Sequence, residues 1–305
     1  MWNRRGVLAA GAAAGVVALT GAARPKRSAT VAAGPLESGP LEIVTGEDRF
    51  ESPATAPAGA VTFRVRTTGP LTGTIGIAKL LDGATEAQFR ARMRQVFAAE
   101  DPADVIRASR ELMATADQLG GAAPHPGADS TFTLRLRPGA YLVLEYLDFA
   151  GGLGRQPAPG QEYVRPLIVG THDSGDRPPR PCGTLTAFDG PAGAPRFALS
   201  GRILADQPLR YVNAMRDHVN EARLYPVVDD AVTEADVVAF FKTGTGVPPI
   251  DFAGGLGTPP LSSGREVTLR MPMRPGRYAV VSWVRSLIDA QPLTAQGQLL
   301  IVRVP

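Results

Sequence analysis

Thr133 to Tyr146 reads TLRLRPGAYLVLEY, and Thr268 to Trp283 reads TLRMPMRPGRYAVVSW. In each, an alternating apolar and polar stretch runs into Pro-Gly and then into an apolar run that carries a tyrosine. Pro presets one backbone angle and Gly permits the reverse turn, so the pair punctuates two strands. Two copies of the same hairpin in a chain of 305 residues predict a tandem of two similar β-rich domains.

Working outward from the hairpins, the other landmarks also recur in order. Arg49-Phe50 returns as Arg196-Phe197, and Val61-Thr-Phe-Arg64 returns as Leu209-Arg-Tyr-Val212. Ala84-Thr-Glu-Ala-Gln88 returns as Val232-Thr-Glu-Ala-Asp236, with about ten residues lost before the second Pro-Gly. Pro57-Ala-Gly59 is expected to be a turn feeding a strand at Val61–Arg66, and Gly73–Leu80 a further strand. Thr85 to Gln88 has the form of a capping box, with Phe89, Met93 and Phe97 on one helix face. Asp101-Pro102 restarts a helix with Val105, Leu112 and Met113 inward, which Gly120-Gly121 is expected to end. The second copy keeps a shorter helix with Val237, Val238 and Phe241 on its apolar face. DFAGGLG occurs identically from Asp148 and from Asp251, out of register with the repeat.

The chain therefore divides into an export signal at 1–33, a spacer at 34–40, a first domain at 41–170, a Pro-rich linker at 171–182 and a second domain at 183–305. The leader has an Asn3-Arg4-Arg5 start, an apolar Gly/Ala-rich stretch from Gly6 to Ala23, and small residues suited to cleavage after Ala23 or Ala33. It resembles a twin-arginine signal, and it could alternatively stay as an amino-terminal anchor. Either way the expected location is extracytoplasmic: secreted, periplasmic or cell-envelope associated. The formal charge of +3 comes from this leader, where Arg4, Arg5, Arg24, Lys26 and Arg27 stand without an acid. No basic stripe with interleaved aromatic residues is left for nucleic acid. One cysteine, Cys182, excludes an internal disulfide and every cysteine-rich metal cage.

The strand after Pro-Ala-Gly, the helical excursion opening Thr-Glu-Ala and the Pro-Gly-x-Tyr turn resemble cupredoxin-like domains. The resemblance implies a mainly β fold, two Greek-key cupredoxin-like β-sandwich domains in tandem, each with an inserted helical segment, after Leu80 and after Val228. Members that carry electrons hold copper with two histidines, a cysteine and usually a methionine, soft and borderline donors that suit the metal. The resemblance places that cysteine where this chain has Glu145 and Ser282. It places the first histidine near Gly73 or Thr74 in one domain and near Asn220 or Glu221 in the other, where no histidine stands. No cofactor is expected.

Two residue groups are candidates for chemistry outside that pattern. Asp217, His218 and Glu221 are weak candidates for metal ligands. Glu145 and Asp148 could serve a hydrolase as acid and base, although strand alternation alone would simply turn Glu145 to solvent. His125 lies between two prolines, and His172 belongs to the polar linker. Gly244-Thr-Gly246 lacks the lysine of a phosphate loop, and neither Ser200 nor Ser262 has the flanking glycines of a nucleophile elbow. With no constellation assigned to catalysis, the expected activity is binding or structural. The expected partner is a protein, cell-envelope component or small molecule held by loops or by the interdomain cleft, with the membrane touched only through an uncleaved leader.

Overall fold

A computed structural model describes residues 39–69, 73–150 and 157–305. The leader at 1–33 and most of the spacer lie outside the described residues. The first half supplies β1 (Leu41–Thr45), β2 (Phe50–Glu51), β3 (Thr55–Thr67) and β4 (Ile75–Leu80), then the helices α1 (Glu86–Ala98) and α2 (Pro102–Met113). It continues with β5 (Ala116–Ala122), β6 (Ser130–Leu136), β7 (Gly139–Glu145), the short α3 (Leu147–Ala150) and β8 (Val164–Asp173). The second half supplies β9 (Gly183–Asp189), β10 (Pro195–Gly201), β11 (Leu209–Asn213), β12 (Asn220–Pro226) and α4 (Glu234–Thr243). β13 (Leu256–Leu261), β14 (Glu266–Arg270), β15 (Gly276–Val281) and β16 (Leu299–Val304) complete it.

In the first unit β2, β1, β3 and β6 pair in that order, and β5, β4, β7 and β8 form the facing sheet. The second unit repeats both orders strand for strand: β10, β9, β11, β14 and β13, β12, β15, β16. Both are Greek-key β-sandwiches with helices inserted between the fourth and fifth strands, the architecture that the cupredoxin resemblance implies. The hairpin motif explains itself locally. Gly139 and Gly276 take φ of 146° and 152°, which a side chain would disfavour. The tyrosine hydroxyls reach back four residues, Tyr141 donating to the Arg137 carbonyl at 2.8 Å and Tyr278 to the Arg274 carbonyl at 3.0 Å. Each Pro-Gly turn is thereby locked by the tyrosine that follows it.

The run after each turn is apolar throughout because both of its faces are covered. Tyr141 and Val143 point into the sandwich, as do Tyr278 and Val280. Leu142 and Leu144 face Phe89 and Met93 of α1, while Ala279 and Val281 face Val237, Phe240 and Phe241 of α4. Both capping boxes form, at Thr85 with Gln88 and at Thr233 with Asp236. Phe240 is buried on α4 where Val238 was expected, and Val238 is only partly covered. The deeper core holds stacked Phe63 and Phe132 at 4.9 Å, each fully buried. Burial of one such ring is worth about 1.5–3 kcal/mol.

Three local expectations are corrected. Gly120-Gly121 does not end α2, which stops at Met113; both glycines belong to β5. A Cβ on Gly121 would sit 2.0 Å from the Ile75 carbonyl oxygen, so glycine is there for close strand approach. Pro57-Ala-Gly59 is part of the long β3, whose head pairs in parallel with β8, and it is not a turn. The first three residues of the expected linker, Thr171 to Asp173, are still strand.

The units join through their equivalent strands. β6 and β14 run antiparallel with Thr133 opposite Thr268, so the two copies of the repeated motif meet residue on residue, as about a local two-fold axis. Leu119 of β5 lies opposite Leu261 of β13, and the Ala123 amide donates to the Gly257 carbonyl at 2.9 Å.

Candidate functional site

Ile75 lies opposite Glu145 where β4 meets β7, and Arg223 lies opposite Val281 where β12 meets β15. One residue back along that second register, Ala222 and Ser282 stand level with Ile75 and Glu145. The same end of each sandwich can therefore be compared position by position, and it is the end where the resemblance would seat copper.

In the first unit Glu145 is not at the surface. It is 5% exposed, because β7 is covered on both faces. Its Oε1 accepts from the Thr74 amide at 2.7 Å and the Leu147 amide at 3.2 Å, and its Oε2 accepts from the Thr45 hydroxyl at 3.0 Å. Burial pushes its pKa up to about 7 against the opposing pull of those donors, and the neighbouring Asp148 adds to the rise. Asp148 is buried as well and accepts from the Tyr163 amide at 2.6 Å. The alternative acid and base candidates thus lie in one buried neighbourhood, where each carboxylate accepts from backbone amides.

In the second unit the hydroxyl of Ser282 accepts from the Val284 amide at 3.3 Å, and the Ser282 amide donates to Thr294 Oγ1 at 2.8 Å. Glu221 stands level with Thr74 and accepts from the Trp283 amide at 2.8 Å. Beside it Asn220 donates to Met215 Sδ and, at 3.0 Å, to Gln298 Oε1. All of these side chains are buried. The Asn220, Gln298 and Met215 group escaped the sequence reading.

The weak metal candidates are not gathered. Glu221 is turned onto the Trp283 amide, Asp217 is exposed in a left-handed turn with φ of 49°, and His218 is buried. Among the described residues no group of three His, Cys, Asp or Glu side chains could hold a metal ion. The residues at the copper position also fail to fit that metal. They offer a carboxylate and a hydroxyl already engaged with protein donors, and the single cysteine, Cys182, is exposed before β9. The two copies of DFAGGLG serve different places. Asp148 lies in α3 after β7, with residues 151–154 of that copy outside the described residues, whereas Asp251 caps a short 3-10 turn ahead of β13.

The two units touch at this end. Arg223 of β12 donates to Thr74 Oγ1 at 3.3 Å across the junction, and within the first unit beside it the Tyr146 hydroxyl donates to Gln118 Oε1 at 2.7 Å. Burial pushes the Tyr146 phenol upward, and the charge of Glu221 from the other unit adds to that shift. Glu221 thus lies within electrostatic reach of the first unit.

No protein-family model matches this sequence, and no curated protein matches it. Solved structures do align with it. Auracyanin A, a blue copper protein from Chloroflexus aurantiacus, is 18% identical, covers 43% of this chain and 100% of its own, and has a TM-score of 0.27. A copper nitrite reductase from Nitrosomonas europaea is 12% identical over 87% of this chain and 92% of its own, at 0.23. A multicopper oxidase is 14% identical over 87% and 88%, at 0.22. Superpositions this loose say nothing about ligand or activity. The fold rests on the strand order itself.

Proposed function

We propose that the chain is an exported, non-catalytic binding protein built on two cupredoxin-like sandwiches that have given up copper. One observation carries the reading: at the position where the resemblance puts a copper thiolate stands a buried carboxylate, Glu145, that already accepts from Thr45, Thr74 and Leu147. A group so engaged holds the end of the sandwich together, with three of its acceptor positions already committed to protein donors. Ser282 with Thr294 and Glu221 with the Trp283 amide support the same reading in the second unit. An extracytoplasmic location is supported by the leader, and among the described residues no helix is long and apolar enough to cross a membrane.

The test is metal analysis of untagged full-length protein after incubation with copper and zinc salts and exhaustive dialysis. The reading expects less than one tenth of an equivalent of either metal to be retained, on the order of background. Stoichiometric metal that disappears in His218→Ala would instead establish a metalloprotein with a site around Asp217, His218 and Glu221.

A further inference from the structure

The two outer ends of the double sandwich are finished differently. Each sheet runs through the joint between the units, so its last strand in either direction is an edge. At the first unit's end both edges are closed. β2 is two residues long and is flanked by the Arg49–Glu51 ion pair, and the head of β3 lies along β8 with Thr55 opposite Ile168 and Ala56 opposite Val169. At the second unit's end β11 begins at Leu209 and has no such head. β16 is instead guarded in its middle, where Glu234 Oε1 accepts from the Ile301 amide at 3.2 Å. The corresponding Glu86 of the first unit, where a strand covers the edge, turns to Arg90.

β10 has neither device. It is the counterpart of β2, yet it runs for seven residues from Pro195 to Gly201, and among the described residues only β9 pairs with it. The Gly190 amide donates to the Ala194 carbonyl and the Arg202 amide to the Cys182 carbonyl, so the even-numbered residues bond toward β9. The amides and carbonyls of Phe197, Leu199 and Gly201 therefore point away from the sheet. Pro195, which has no amide hydrogen to offer, takes the same outward position. Between Arg196 and Arg202 the stretch Phe197-Ala-Leu-Ser-Gly201 carries no charge, and Ala198 and Ser200 are exposed on the solvent side. An edge of this length, in regular register and without charge or cover, is a template for another strand.

The joint between the units says what that strand is. There the fold sets equivalent edges antiparallel about a local two-fold, Thr133 opposite Thr268, and the contact continues both sheets. A second β10 meets the first by the same rule. With each Leu199 opposite its counterpart, Phe197 falls opposite Gly201 and Ala198 opposite Ser200, so no like charges meet within those five residues. The stretch is complementary to itself, as a two-fold contact requires. We infer that β10 is the surface through which a second copy of this chain docks, antiparallel and centred on Leu199, so that the sheet carries on from one molecule into the next. The inference goes beyond the binding-protein reading and does not rest on it.

The experiment is sedimentation velocity of the full chain at concentrations up to about 200 µM, which reaches contacts of modest area, repeated on two double variants. Ala198→Lys with Ser200→Lys sets like charges opposite each other twice, whereas Ala198→Lys with Ser200→Glu sets opposite charges there. Both positions are exposed, so the variants keep the fold, and thermal unfolding of each checks that they do. Expected are a dimer of the unaltered chain, association at least about tenfold weaker in the first variant, and association restored or tightened in the second. A monomer throughout the range, association that neither variant alters, or equal weakening by both overturns the inference. Metal retention is untouched by any of these results, so the two readings fail separately.

Discussion

The two sandwiches share every strand pairing at their copper-position ends, yet they hold those ends closed in opposite senses. In the first unit the carboxylate sits on β7 and reaches over to the Thr74 amide before β4. In the second it sits on β12 and reaches over to the Trp283 amide after β15. The sandwich leaves backbone amides at this end that need an acceptor, and a carboxylate from either side of the seam meets the need. What the fold demands is the bond, and which strand supplies it is free to vary.

The largest expected effect tests the part of the comparison where the units agree. Gly121 and Gly257 occupy matching places, and a Cβ on them would meet the carbonyl oxygens of Ile75 at 2.0 Å and Ala222 at 2.1 Å. Gly121→Ala and Gly257→Ala are each expected to cost about 3 kcal/mol or more in urea unfolding, Gly257→Ala the more, because Gly257 also holds a φ of 123°. A large loss in one and none in the other would break the equivalence of the units.

Next come the carboxylates. Glu145→Ala strands three donors and is expected to cost about 3 kcal/mol, against about 1–2 kcal/mol for Glu221→Ala, in the same unfolding assay. A reversed order would show that the second seam is the tighter one.

The comparison sharpens with pH. Glu145 is raised from 4.5 to about 7 in the folded state, so between those values the folded chain binds the extra proton. Its contribution is therefore greatest below pH 4.5 and declines by about 3 kcal/mol as pH rises through 7. Glu145→Gln should flatten that decline. His218 acts oppositely: burial lowers its pKa below 6.5, so stability from the second unit is lost as pH falls below that value. Urea midpoints of the wild type, Glu145→Gln and His218→Ala from pH 4 to 8 separate the two slopes.

The smallest effect is again a matched pair. Thr85→Ala and Thr233→Ala remove exposed capping boxes and should each cost about 1 kcal/mol by thermal unfolding.

Some of this architecture is local and was readable in the chain. Pro-Gly-x-Tyr works within five residues, since the tyrosine locks the turn it follows, and a Thr-Glu-Ala box caps the helix it begins. Gly120-Gly121 misled because a glycine pair after a helical stretch fits a helix end as well as a strand pressed against a neighbour. Its true reason is the Ile75 carbonyl, a contact far away in sequence. Glu145 misled for a related reason. Alternation puts it on the same inward face as Tyr141 and Val143, where Thr45 of the facing sheet and the Thr74 amide supply the donors that let a carboxylate stay there.

Duplication, turns, helix starts and the lack of soft ligands at the copper positions all follow from residue order, because each depends on near neighbours or on the identity of one side chain. The self-pairing of Thr133 with Thr268 and the buried seams depend on groups remote along the chain. Their energies arise from burial and from donors that packing brings within bonding distance, and no run of letters encodes which distant donor will arrive.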